Sequence, residues 1–452
     1  MGRLLAPAQP LSAAAATARP RGAWWVALAR AAQRFTAPRR AGLRTAALSL
    51  VGLYCHTACA TDWASTTDWE IDLDGRLVNV NAPPPYIAGG LGSLRFGGDE
   101  SGARIGRIRL ALTQPFGNLW SVHLDASSWG DHDKVPVGLT EAWLQWRPYP
   151  FAGYRLRIKA GAFYAPISLE NRTSGWESPY TLSYSAINSW LAEEVRTIGT
   201  EAQLEWLGTR TGHDFDVGLT AGLFGWNDGA GTALAYGGFT LTDRQTVLWG
   251  RVGVPGGPVT AAEPFREMSG NAGAYGGLEV RYLDRVVLRF LRYDNDANPG
   301  APDPVTHAQP WNTEFDSAGL RVEGGAGWTV IAQYLKGGTY IAPTGDDRRW
   351  PFKASFALLS KRFGPHTCSV RYDRFEVDGP GDPGKPSEVW QKGHAVTLAY
   401  IFQPQPRWRI TLEWLHVTGT VYGLEEDGQG PPRVRQTQLQ LAIRYALGPA
   451  AQ

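Results

Sequence analysis

After residue 62 the chain contains no uncharged apolar run long enough to cross a bilayer as a helix, which takes about 20 residues. It holds only three cysteines and two methionines in 452 residues. Cys55 and Cys59 fall in an N-terminal stretch that reads as a removable leader, so Cys368 stands alone afterwards. An intramolecular disulfide is thereby excluded, and stability has to come from backbone pairing. The first 60 residues lack acidic side chains altogether. The eight histidines, seven of them after that stretch, are scattered with no two at ligand spacing, which argues against a metal site. No cofactor is expected. No repeat of about 40–50 residues appears, as the blades of a soluble propeller would require.

Residues 1–60 carry eight arginines, then the apolar run TAALSLVGLYC, then Ala58-Cys59-Ala60. A basic start, an apolar centre and a small-x-small end describe a secretory signal, with cleavage expected after Ala60. The part before about Arg39 is longer than such a signal needs, as an over-extended start would make it. Taking those eight arginines from 44 basic residues leaves 36 against 42 acidic ones, a net charge near −6. A mildly acidic exported chain is a poor nucleic-acid binder. Residues 61–452 are expected to form one body.

Tryptophan is abundant, with 19 in the chain, and it falls at the ends of alternating segments. In Thr140–Arg147 one face carries Thr140, Ala142, Leu144 and Trp146, the other Glu141, Trp143, Gln145 and Arg147. In Tyr154–Tyr164, Leu156, Ile158 and Ala160 alternate with Arg155, Arg157 and Lys159. In Glu201–Trp206, Ala202, Leu204 and Trp206 alternate with Glu201, Gln203 and Glu205. Strand side chains alternate between faces. One greasy face edged with aromatics and one charged face describe a wall between lipid and enclosed water.

The pattern predicts an all-β fold, a transmembrane antiparallel β-barrel with short periplasmic turns and long extracellular loops. Eight short connections and nine mostly longer ones imply 18 strands. The hairpin at Thr242–Thr246 is the weakest of them, and 16 is the alternative. A spanning sheet must close on itself because lipid offers its edges no hydrogen bonds. At that width side chains alone do not fill the interior. The expected pore-lining charges are Arg107, Arg109, Glu141, Arg147, Arg155, Arg157, Lys159, Glu201 and Glu205. The same residues could equally be interstrand ion pairs that stiffen the wall. In Val286–Tyr293, Arg289 and Arg292 fall on opposite faces, which calls for a bulge or a rim position. The long loop Pro166–Val195 is expected either to fold inward and narrow the lumen or to pack across the rim. In the first case Arg172, Trp176, Glu177, Glu193 and Glu194 lie at the constriction.

Lys159-Ala-Gly-Ala-Phe163-Tyr-Ala-Pro166-Ile-Ser168-Leu169-Glu170, preceded by Glu141-Ala-Trp and followed by Arg196-Thr-Ile-Gly199, resembles the strand–loop–strand core of the phosphate-selective porin family of Gram-negative outer membranes. The resemblance implies a sixteen-stranded, trimeric channel passing anions. Ser183–Trp190 lacks that family's Glu-Arg pair and the loops lack a lysine cluster, so the implication extends to porin architecture and not to phosphate. The chain also looks generally like eighteen-stranded exporters of acidic polysaccharide. The expectation is therefore a passive outer-membrane channel for small hydrophilic solutes, with anion preference left open, and with a channel or exporter for acidic sugars as the competing reading. Its partners would be outer-membrane lipid and lipopolysaccharide, with a homotrimer as its assembly. Catalysis is not expected: His123, Asp125 and Ser127 share one strand face and cannot surround one reacting atom.

Overall fold

The computed structural model describes residues 67–131, 137–254, 261–342, 347–379, 389–421 and 433–449. The expected leader and its cleavage site lie outside them. The strands are β1 Asp68–Asn81, β2 Gly102–Phe116, β3 Trp120–Ser128, β4 Val137–Trp146, β5 Tyr154–Phe163, β6 Thr197–Trp206 and β7 Phe215–Gly225. A two-residue ladder follows, β8 Val252–Gly253 with β9 Ala261–Ala262. Then come β10 Gly273–Tyr282, β11 Val286–Asp294, β12 Asn312–Glu323, β13 Trp328–Ile341, β14 Arg348–Phe363, β15 His366–Asp378, β16 Val389–Gln405, β17 Trp408–Val421 and β18 Arg433–Leu447. Among the described residues two α-helices, α1 Ala186–Glu194 and α2 Thr232–Gly237, lie in the connections.

All strands but β8 and β9 form one closed antiparallel barrel, β18 pairing back onto β1 from Ile71↔Leu447 to Asn81↔Thr437. Closure gives every strand two partners, which membrane-spanning backbone requires. The barrel has sixteen strands, the alternative count. The two surplus strands were expected on either side of Thr242–Thr246. That stretch is instead part of one long connection between β7 and β10. Residues 227–248 are buried almost without interruption, so they have no lipid face to alternate with and fold inside the wall.

The alternation holds where it was clearest. On β17, Trp408, Ile410, Leu412 and Trp414 point outward while Thr411, Glu413 and Leu415 are buried inward. On β18, Leu439 and Ile443 are exposed and Gln436, Gln438 and Gln440 are buried. Arg289 points inward and Arg292 outward with no break in the register of β11. Arg292 sits at the long-loop rim, paired to Glu314 and, at 3.0 Å, to Asp316 of β12. The rim position, and not a bulge, resolves that pattern.

At the short-turn end exposed aromatics line the outer surface: Trp69, Trp120, Tyr154, Phe215, Trp328 and Trp408. Rings meet across neighbouring strands, as Trp206–Phe215 at 5.4 Å and Trp408–Tyr445 at 4.6 Å. Indole and phenol rings favour the headgroup level, where one edge is wet and the body is not.

Candidate functional site: a plugged lumen with two polar cavities

The loop between β5 and β6 folds into the barrel. Helix α1 begins at Ser185, whose hydroxyl accepts from the Asn188 N–H at 3.3 Å, and all nine of its residues are buried. Trp190 lies edge-on against Phe239, Phe315 and Phe352, with centroids 5.0 to 6.3 Å apart. Phe315 and Phe352 are inward residues of β12 and β14. Inward Phe375, Val377, Leu415 and Val417 belong to the same cluster, with Leu234, Phe239 and Leu241 from the β7–β10 connection and Leu94 from the β1–β2 connection. Three connections thus form an apolar plug inside one side of the barrel.

Ion pairs pin that plug to the wall. Arg371 of β15 binds Glu170 of the loop at 2.7 Å and Asp373 at 2.8 Å, all three side chains fully buried. It also donates to the carbonyls of Ser183 and Tyr184 at 2.7 and 2.8 Å. Glu413 of β17 accepts from the N–H groups of Leu182 and Ser183. A second network joins Arg76 of β1 and Arg95 of the first loop to Asp243, with Nη1–Oδ1 distances of 3.1 and 3.0 Å. Burial alone would raise the Asp243 carboxyl, but Arg76 and Arg95 hold it well below the usual carboxylate range.

Of the anticipated lumen charges, Arg107 and Arg109 do point inward, but the folded loop covers them. Arg107 pairs with Glu177. Arg109 binds Asp125 at 2.7 Å, Glu70 and Asp72 at 2.9 Å, and the Ser174 hydroxyl at 2.6 Å. Gly175, at φ +69°, lies against that guanidinium, and a Cβ there would come within 2.6 Å of Nε. Arg147 falls beyond β4 and is exposed in the turn, outside the wall. The Tyr164 N–H donates to Glu141 at 3.3 Å.

The remaining five charges meet at the short-turn end beneath the plug. Arg155 pairs with Glu205, Arg157 reaches it at 3.3 Å, and Arg281 at 3.0 Å. Lys159 lies 3.4 Å from Glu201 and 4.1 Å over the Phe163 ring. Arg289 pairs with Glu279. Arg157, Lys159, Glu201, Glu279, Arg281 and Arg289 line a cavity of about 330 Å³. Four cations, Arg157, Lys159, Arg281 and Arg289, against two carboxylates, Glu201 and Glu279, leave this lining with surplus positive charge. Arg281 and Arg289 were not anticipated as lining, although the alternation of β10 and the split face of β11 mark both.

A second cavity of about 470 Å³ opens at the same end on the opposite side, lined in part by Asp72, Arg172, Glu177, Glu323, Arg409 and Arg444. Of the anticipated constriction residues, Arg172 is exposed and bound to Glu323 at 2.9 Å. Burial alone would raise Glu177, but Arg107 and Arg444 bring it down to about 2. Trp176 stacks on Tyr164 at 4.2 Å and meets Tyr184 edge-on at 5.7 Å.

Glu193 and Glu194 line neither cavity. They are buried within the plug, where they hold its parts together. Glu193 accepts from the Tyr86 hydroxyl and, at 2.9 Å, from Thr242. Glu194 accepts from the N–H groups of Ala233 and Leu234 at 2.8 and 2.9 Å, capping α2, and from Trp190 Nε1 at 2.9 Å. Burial pushes both carboxyls up to about 7 against these hydrogen bonds. A carboxyl raised this way favours the packed plug below its unfolded value near 4.5, and that contribution is lost as pH rises to about 7. Amide protection factors in Ala186–Glu194 are expected to fall between about pH 5 and pH 8, and Glu193→Gln to flatten part of that slope. A pH-independent profile in the unaltered protein would contradict the assignment.

No family model matches the sequence, and no curated protein matches it. Solved structures do. The outer-membrane channel DcaP of Acinetobacter baumannii is 10% identical over 84% of this chain and 97% of that one, with a TM-score of 0.49. An anion-selective porin from Comamonas acidovorans is 13% identical over 84% and 99%, at 0.46. OprB of Pseudomonas putida is 12% identical over 85% and 95%, also at 0.46. A closed antiparallel barrel of sixteen strands, apolar outside and charged within, has the architecture of the porins of the bacterial outer membrane.

Proposed function

We propose that the protein is an outer-membrane channel through which small hydrophilic solutes diffuse down their gradients, with a preference for anions. The observation that supports this most is the cation surplus on the smaller cavity, where Arg157, Lys159, Arg281 and Arg289 face only Glu201 and Glu279. Charge lining a narrow aqueous path raises the local concentration of the opposite charge and lowers its entry barrier. The plug narrows what would otherwise be an open lumen, so conduction is set by the polar margin between plug and wall. In this reading the short turns face the periplasm.

Reversal potential in a salt gradient across a planar bilayer tests it. The unaltered channel is expected to reverse on the anion-selective side. Replacing Arg155, Arg157 and Lys159 by glutamine is expected to move the reversal toward zero or past it. An identical reversal potential in the two proteins would remove the anion preference, and the absence of any current would remove the channel.

A further inference from the structure

The larger cavity differs from the smaller one in how its charges are compensated. Each of its carboxylates already has a guanidinium. Glu177 is held by Arg107 and Arg444. Glu70 and Asp72 are held by Arg109, and Glu323 by Arg172. Three further arginines line the same space: Arg362, Arg407 and Arg409. Among the described residues none of these three has a carboxylate within ion-pair distance. Arg362 and Arg407 are exposed at the mouth, on the last turn-side residues of β14 and in the β16–β17 turn. Arg409 is half-buried deeper in, and its Nη2 donates to two backbone carbonyls of the loop, Ser178 at 2.9 Å and Thr181 at 3.4 Å. The Nε of Arg444 is buried and makes no hydrogen bond.

We infer that this cavity is a docking site for an oxyanion, a carboxylate or phosphate group carried by a small solute, at the short-turn mouth of the channel. Guanidiniums present donors in a fixed fork that matches such groups in two-point fashion. A volume of about 470 Å³ falls within the range that encloses small molecules, roughly 300–1,000 Å³. Three uncompensated cations on one mouth also make the channel asymmetric: an anion arriving from the turn side meets them before the plug. One arriving from the loop side meets the plug first. The inference extends the channel reading above by naming the chemistry of a solute and the side on which it is held, but the binding itself does not require conduction.

Trp328, at the cavity's edge with its ring toward the outer surface, supplies a readout independent of current. Inorganic phosphate and, separately, succinate would be titrated into detergent-solubilised protein at constant ionic strength, following tryptophan emission with chloride as the reference. The expected result is saturable binding of at least one of the two, weakened about tenfold or more in R362Q/R407Q/R409Q. Because Arg409 also ties the loop, R362Q/R407Q is the second variant, leaving those carbonyl bonds intact, and it too should weaken binding. In bilayers the bound anion should reduce chloride current when added on the turn side and much less when added on the loop side. Saturable, arginine-dependent binding without current would keep the docking site while removing the channel. Emission changes no larger than those with chloride, or equal in the unaltered protein and both variants, would overturn the site.

Discussion

Replacing Thr173–Ser183 by a short glycine-serine linker is expected to raise single-channel conductance several-fold and to weaken ion selectivity. This segment crosses the lumen near the short-turn end. Ser174 and Glu177 lie on Arg109, Arg107 and Arg444 of β2 and β18, and the amides of Leu182 and Ser183 lie on Glu413 of β17. Removing it uncovers Arg107 and Arg109, whose side chains are almost wholly buried, and widens the larger cavity, which Thr173, Ser174, Glu177, Pro179 and Tyr180 line. The barrel should survive, because every barrel strand keeps both neighbours and the removed residues contribute none of the wall's pairing. Loss of Glu177 leaves Arg107 and Arg444 facing water, where a charge needs no partner. The measurement is conductance in symmetric salt, with detergent-resistant barrel mobility as the control for folding. Unchanged conductance would show that the segment does not set the passage.

The wall was legible in the sequence because lipid outside and water or charge inside impose a period of two. Arg155, Arg157 and Lys159 on β5 and Glu201 and Glu205 on β6 fall on the face their spacing indicates. The plug was legible only in part: the inward fold of Pro166–Val195 was one of two expectations, and the contribution of the β7–β10 connection was hidden. The apolar residues of that connection, among them Leu234, Phe239 and Leu241, cover the inward side chains of Phe352, Phe375, Leu415 and Val417, so that the inward faces of those strands are apolar where charge was expected. A buried connection of that composition imitates one more hairpin, which is how 18 strands come to be counted where there are sixteen. Pairing is hidden for a different reason. Arg371 and Glu170 are 201 residues apart, and only barrel closure with an inward loop brings them together. Glu193 and Glu194, acidic and next to a helix end, gave no sign that they would be sealed away from water.

Arg371→Met is expected to release the plug from the wall while leaving the barrel closed. The guanidinium is the sole positive charge bound to Glu170 and Asp373 among the described residues, at 2.7 and 2.8 Å, and removing one partner of a buried pair costs roughly 3–5 kcal/mol because the remaining charge is left uncompensated. Here the cost should fall toward the lower end. Glu170 keeps the Ser185 N–H at 3.0 Å and the Asn188 side-chain amide at 2.8 Å, and Asp373 keeps the Ala186 N–H at 3.1 Å. These donors cluster at the N-terminus of α1, where the helix dipole favours negative charge. The carbonyls of Ser183 and Tyr184 lose their donor as well, which adds to the cost. The loop should therefore become open to protease between Glu170 and Tyr184, and channel current should grow noisier and larger. Adding Glu170→Gln and Asp373→Asn to the variant removes the stranded charges while retaining acceptors for the amides of α1, and should restore much of the protection. A loop equally resistant to protease in Arg371→Met and the unaltered protein would mean that apolar contacts around Trp190 hold the plug without this network.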